Sequence, residues 1–132
     1  MSELNLKKLR EAQQIVNFDP DFRSHGNVDI KLAIKVGKSA YLVTFEGFTC
    51  HQVEKINETR YRDADCLLDL TVSQWQELNQ DLKSSDGVGL IGLDSREKVV
   101  SGINPRKKMH LYRYLTSVEA FLRAYGEGAQ AA

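Results

Sequence analysis

A chain of 132 residues lies near the common size of one domain and is long enough to bury a real core. Eighteen lysines and arginines cancel eighteen aspartates and glutamates, which removes the broad electrostatic attraction to nucleic acid or anionic membrane. No apolar run approaches a membrane span, and Met1-Ser2-Glu3-Leu4-Asn5 lacks a basic region ahead of an apolar core. The expectations are one domain over residues 1–132 with its core in 26–125, no stable membrane insertion and cytoplasmic residence.

The first predicted element is a helix over residues 3–16, with Leu6, Leu9, Gln13 and Val16 forming a thin stripe and Asp19-Pro20 ending it. Strands follow. Val28, Ile30, Leu32, Ile34 and Val36 alternate with Asp29, Lys31, Ala33 and Lys35, a period of two that separates an apolar face from a charged one. Gly37-Lys38 supplies a turn into Tyr41, Val43 and Phe45, which alternate with Leu42, Thr44 and Glu46, so the two strands form a hairpin. Gly47-Phe48 breaks the second strand, and 49–56 and 64–71 read as two more, the latter with Ala64, Cys66, Leu68 and Leu70 on one face.

Ser73 with Gln76 three residues on has the spacing of a capping box, and Trp75, Leu78 and Leu82 then recur at helical spacing. Ser84-Ser85-Asp86-Gly87 is a loop. Val88 to Leu93 holds two glycines and fits either a short buried strand or a flexible wall. Residues 98–103 read as a last strand, and Asn104-Pro105 as an N-cap with proline at the first helical position. The long terminal helix carries Met109, Tyr112, Leu115 and Leu122 on one stripe and Leu111, Tyr114, Val118 and Phe121 on the next, before Gly126 stops it and 126–132 fray. The fold class is α+β: a twisted, mainly antiparallel sheet of about five strands, covered on one face by helices.

Chemistry is sparse in this pattern. Cys50 and Cys66 fall on strands expected to be neighbours and have no metal-ligand or redox spacing, so they read as buried apolar thiols. His25, His51 and His110 are too scattered for a metal site. Gly87-x-Gly89-x-x-Gly92 spells a dinucleotide fingerprint without the βαβ context it needs, and Ser101-Gly102 is only a fragment of a nucleophile turn. The one polar set worth weighing is His51, Asp69 and Tyr114, which a cone-shaped α+β domain can gather for proton transfer. The simpler reading is His51 and Asp69 paired across strands on the surface. Trp75 reads as a core anchor, whereas the terminal helix presents a wider apolar face than packing on a small sheet requires.

The order of alternating strands, then Ala64-Asp65-Cys66-Leu67-Leu68-Asp69-Leu70-Thr71 leading into Ser73-Gln74-Trp75-Gln76-Glu77-Leu78, and later Val99-Val100-Ser101-Gly102-Ile103 before a terminal helix, resembles the sterol carrier protein type-2 family over about residues 25–125. Between Lys83 and Lys98 the chain departs from that pattern. The resemblance implies an apolar cavity between sheet and helices that takes lipids, sterols or acyl-CoA thioesters, with no catalytic residue and no cofactor to carry over.

On this reading the chain is a non-catalytic carrier of a hydrophobic small molecule such as a steroid, fatty acyl or acyl-CoA compound. The expected ligand walls are Phe45, Leu90, Leu93, Tyr112, Tyr114, Leu115 and Phe121. Arg106, Lys107 and Lys108 are either a solvated helix start or a hold for a phosphate or carboxylate near the positive helix end. The alternatives are a small dehydratase, hydratase or isomerase using His51, Asp69 or Tyr114, and an accessory subunit gripping an enzyme partner. An exposed terminal-helix face would mark the accessory subunit.

Overall fold

The computed structural model describes residues 4–24, 28–83, 89–102 and 105–131. His25, the loop Ser84–Gly87, Val88, Ile103 and the expected cap Asn104 lie outside the described residues.

The chain runs α1 (Leu6–Phe18), α2 (Pro20–Ser24), β1 (Ile30–Val36), β2 (Ser39–Glu46), β3 (Thr49–Lys55), a 3-10 helix (Glu58–Asp63), β4 (Cys66–Leu70), α3 (Val72–Lys83), α4 (Gly89–Glu97), β5 (Val100–Gly102), α5 (Pro105–Arg113) and α6 (Leu115–Ala131). The strands form one sheet in the order β3-β2-β1-β4-β5. β1 and β2 are the expected antiparallel hairpin, pairing Leu32 with Val43 and Ile34 with Tyr41. Gly37 at φ +61° makes its turn, a conformation glycine adopts without the Cβ penalty. All the other pairings are antiparallel except β1 with β4, which run parallel with Leu32 beside Cys66 and Ile34 beside Leu68.

This order sets the two faces. Ile30, Leu32, Ile34 and Val36, with Val43, Phe45, Leu68 and Val100 from the neighbouring strands, are buried under the helical layer. Because β3 and β4 are separated by β2 and β1, the chain must recross the sheet to reach β4, and its 3-10 helix does so over the other face. There Ala33, Ala40 and Leu42 form a second, smaller apolar cluster with Ile56 and Ala64, against which Tyr61 and Leu67 pack. Alternation alone assigns Ala33 and Leu42 to a charged outer face, and the crossover corrects it.

Several local expectations are corrected. The box that caps α3 is Thr71 with Gln74: Thr71 Oγ1 accepts from the Gln74 N–H at 3.1 Å and Gln74 Oε1 from the Thr71 N–H at 2.9 Å. Ser73 and Gln76 share that spacing but lie inside the helix, whose inward face of Trp75, Leu78 and Leu82 is as expected. Residues 89–97 form a helix, neither strand nor loose wall, because the carboxylates of Asp81 and Glu119, from other helices, take its first N–H groups. The last strand starts at Val100, two residues later than expected, since Lys98 at φ +53° closes α4 by donating its N–H to the Asp94 carbonyl at 2.8 Å.

The terminal helix is two helices. At Tyr114 the N–H is shared between the His110 and Leu111 carbonyls at 3.1 and 3.2 Å, a tightened turn that redirects the axis. Met109, expected on the inner stripe, is 69% exposed, while Leu111, Val118, Phe121 and Leu122 are fully buried. α6 passes through Gly126 to Ala131. Cys50 on β3 and Cys66 on β4 are separated by two intervening strands, so the thiols are not neighbours; both are free and buried.

The sheet's β3 edge is fastened by α1. Phe45 pairs with Cys50 and Thr44 with Gln52, so His51 is an extra residue at a bulge. Asn17 accepts from the Cys50 N–H at 2.8 Å and donates to its carbonyl at 3.0 Å, and Gln13 donates to the Cys50 and His51 carbonyls. These side chains satisfy backbone groups that an edge strand otherwise leaves open.

Candidate ligand-binding site

The interior between sheet and helices brings together four of the residues singled out from sequence. Phe45 on β2, Leu90 and Leu93 on α4, and Phe121 on α6 all belong to the main buried cluster. The Phe45 and Phe121 rings meet edge to face, 5.7 Å between centroids at 88°, and the Phe22 ring of α2 lies 6.4 Å from that of Phe45. Tyr114 and Leu115 pack against the rim of this cluster at the α5–α6 break.

Tyr112 is differently engaged. Its hydroxyl donates to the Asp94 carboxylate, which also accepts from the Val100 N–H at 2.8 Å and pairs with Lys108 Nζ at 3.0 Å. Asp94 is only 6% exposed. Burial pushes its carboxyl up, but the Tyr112 hydroxyl, the Val100 N–H and Lys108 together outweigh that and hold it below its ordinary value. Burial, then the hydrogen bond to Asp94 and its charge, raise the Tyr112 phenol. One carboxylate thus ties α4 to both β5 and α5. Sequence reasoning missed it, although an aspartate in the apolar run Gly89-Leu90-Ile91-Gly92-Leu93-Asp94 was a usable signal, since a buried acid requires partners.

The other end of α4 is held in the same way. Glu119 of α6 accepts from the Leu90 N–H at 2.8 Å, and Asp81 of α3 accepts from the Gly89 N–H. Two carboxylates at the positive end of a helix are favourably placed. A narrow cleft of about 30 Å³ between α3 and α4, beside Leu78, Asp81, Gly89 and Leu93, marks the seam.

The basic run is divided. Lys107 pairs with Asp65 at 3.3 Å and Lys108 with Asp94, whereas Arg106 is exposed. The proton-transfer set is not assembled: His51 is exposed on the β3 edge, Asp69 on β4 pairs with Lys35 at 3.3 Å, and Tyr114 lies in the helical layer. No group of three or more metal-ligating side chains occurs among the described residues, and none of their helices is long and apolar enough to cross a membrane.

No protein-family model matches the chain, and no curated protein matches it. Among solved structures, it is similar to the solution structure of a conserved hypothetical protein from Thermus thermophilus described as possibly a sterol carrier protein. That match has a TM-score of 0.72 at 15% identity, over 97% of this chain and 91% of the other. At that identity the likeness establishes a shared fold, and the layered α+β fold implied by the sterol carrier protein type-2 resemblance is the one found. A UbiJ-SCP2 ubiquinone synthesis protein aligns over 97% of this chain and 98% of its own at 18% identity and a TM-score of 0.45, too loose an overlap to define a common fold.

Proposed function

We propose that this chain is a non-catalytic binding or carrier domain for a hydrophobic small molecule, taken up between the sheet and the helical layer. The observation that carries the proposal is the meeting of Phe45, Leu90, Leu93 and Phe121, from three separate elements, in one apolar interior. Its α4 wall is fastened by hydrogen bonds at both ends. Entry of an apolar ligand behind that wall gains roughly 25 cal/mol for each Å² taken from water.

The fold shared with a protein suggested to be a sterol carrier supports the same reading. Steroid, fatty acyl and acyl-CoA compounds are the ligand classes we favour. Tyr112, Tyr114 and Leu115 would then line the α5–α6 side. A ligand carboxylate or phosphate would look first to Arg106, because Lys107 and Lys108 already face carboxylates. The buried inner face of α6 favours the carrier over an accessory subunit. What speaks for the accessory role is elsewhere: Phe18 is 86% exposed at the end of α1 and Phe48 is 52% exposed at the β2–β3 turn.

A native mass spectrum of the protein purified from its own cells tests the proposal. A retained apolar adduct, lost on denaturation, is the expected result. A bare chain, or a chain carrying only a partner protein, would count against the carrier.

A further inference from the structure

The sheet has a second concavity, on the face away from the helical layer. Across strands β2, β1, β4 and β5 the register sets Leu42, Ala33, Leu67 and Ser101 in one row. The 3-10 helix covers the Leu42 and Ala33 end of this row and meets β4 at Ala64, leaving the Leu67 and Ser101 end uncovered. The result is a cleft of about 230 Å³ lined by Tyr61, Arg62, Ala64, Leu67, Ser101 and Gly102, with Asp65 at its side. An apolar cavity of about 150 Å³ is enough for one benzene ring, so a single ring or a short branched chain fits here and a sterol does not.

The floor is apolar and the rim donates. Ala64 is buried and Leu67 packs beside it. Among the described residues Arg62 forms no ion pair, in contrast with Arg60, which is held by Glu54 and Asp63. The hydroxyls of Tyr61 and Ser101 likewise have no hydrogen-bond partner among the described residues. Burial raises the Tyr61 phenol, so it stays protonated and able to donate. The acid at the site is already committed: Asp65 Oδ2 accepts from the Lys31 N–H at 3.0 Å and Oδ1 pairs with Lys107 at 3.3 Å. Of the charged side chains that line the cleft, Arg62 is thus the one without an ion pair among the described residues.

We propose that this outer-face cleft binds a small monocarboxylate with an apolar body, its ring or chain on Ala64 and Leu67 and its carboxylate on Arg62, with the Tyr61 and Ser101 hydroxyls as further donors. A guanidinium can hold a carboxylate through two parallel bonds, which a neutral amide of the same shape cannot reproduce. The site is independent of the carrier reading, since it lies on the opposite face of the sheet.

The test is a backbone-amide NMR titration of the full chain with benzoate and, separately, with neutral benzamide. Saturable shifts confined to residues 61–67 and 100–102 are expected, with benzoate binding about tenfold or more tighter than benzamide. Arg62→Gln should remove that preference. Ser101→Phe, at an exposed position, should fill the cleft and abolish binding of both. Shifts that do not saturate, shifts centred on α4 to α6, or benzoate affinity unchanged in both variants would overturn the proposal.

Discussion

The Tyr112 hydroxyl donates to the Asp94 carboxylate across the α4–α5 seam, and the same carboxylate accepts the Val100 N–H that starts β5. Asp94→Ala strands that N–H and Lys108 together. The cost should be about 1.5–3 kcal/mol, the scale of hydrogen bonds to a charged group, read as a lower urea midpoint with unchanged slope. Asp94→Asn keeps an acceptor for Val100 and should cost less. Equal midpoints for wild type and Asp94→Ala would show that the seam is not fastened there.

The sign of the pH dependence follows from the depressed Asp94 carboxyl. A carboxylate with its folded pKa below its unfolded value stabilises fully above that unfolded value, about 3.9 for aspartate. The contribution fades as pH falls through the folded value. The midpoint difference between wild type and Asp94→Asn should accordingly be flat at neutral pH and shrink below about pH 4. A difference that grew on acidification would reverse the assignment.

Trp75 and Tyr125 meet edge to face at 5.4 Å, locking α3 to α6, and Tyr125 Oη accepts from the Asn5 N–H at 3.2 Å. Trp75 is 3% exposed. Trp75→Ala should cost about 3–5 kcal/mol, measured by denaturant unfolding. An unchanged midpoint would mean the indole is not an anchor.

How much of this is legible in the sequence depends on which interactions are local. The inward face Trp75, Leu78 and Leu82 and the hairpin partners Leu32 and Val43 follow from periodicity, which is a property of neighbouring residues. The parallel pairing of β1 with β4 is not local, and it separates Cys50 from Cys66 and carries the 3-10 helix over Ala33 and Leu42. α4 is illegible because its start is satisfied by Asp81 and Glu119 from other helices, not by a cap in its own sequence. The α5–α6 break at Tyr114 has neither glycine nor proline to announce it. The donors around the outer-face cleft, Arg62 and Ser101, come from segments that only the strand order brings together.

Gly89 opens α4 at φ +68°, and a Cβ there would run into the Glu119 carboxylate that caps the helix. Gly89→Ala should therefore cost about 1–3 kcal/mol from backbone strain alone, and lose part of the cap as well. Hydrogen exchange at Leu90 should quicken in this variant. Unaltered stability and exchange would contradict the carboxylate-fastened start of α4.

Burial raises the Cys50 thiol to about 12. For Cys66, burial first and Asp65 second raise it to about 11, against a lesser opposing pull from Lys107 and Lys108. Neither thiol should react with a disulfide reagent at about pH 8 until the chain unfolds, since the thiolate is the reactive form. Rapid labelling of either cysteine in the folded protein would place it nearer solvent than the structure does.

Displacement of an environment-sensitive fatty acid probe tests the carrier reading most directly. Saturable probe binding that unlabelled fatty acid or sterol reverses is the expected result. Leu115→Trp and Phe121→Trp should weaken that binding with only a modest loss of stability, because space for a ligand relieves the overpacking cost of about 1–3 kcal/mol met in dense cores. No probe binding, together with severe destabilisation by both tryptophans, would mean that the interior between sheet and helices is solid and that the chain does not carry a ligand there.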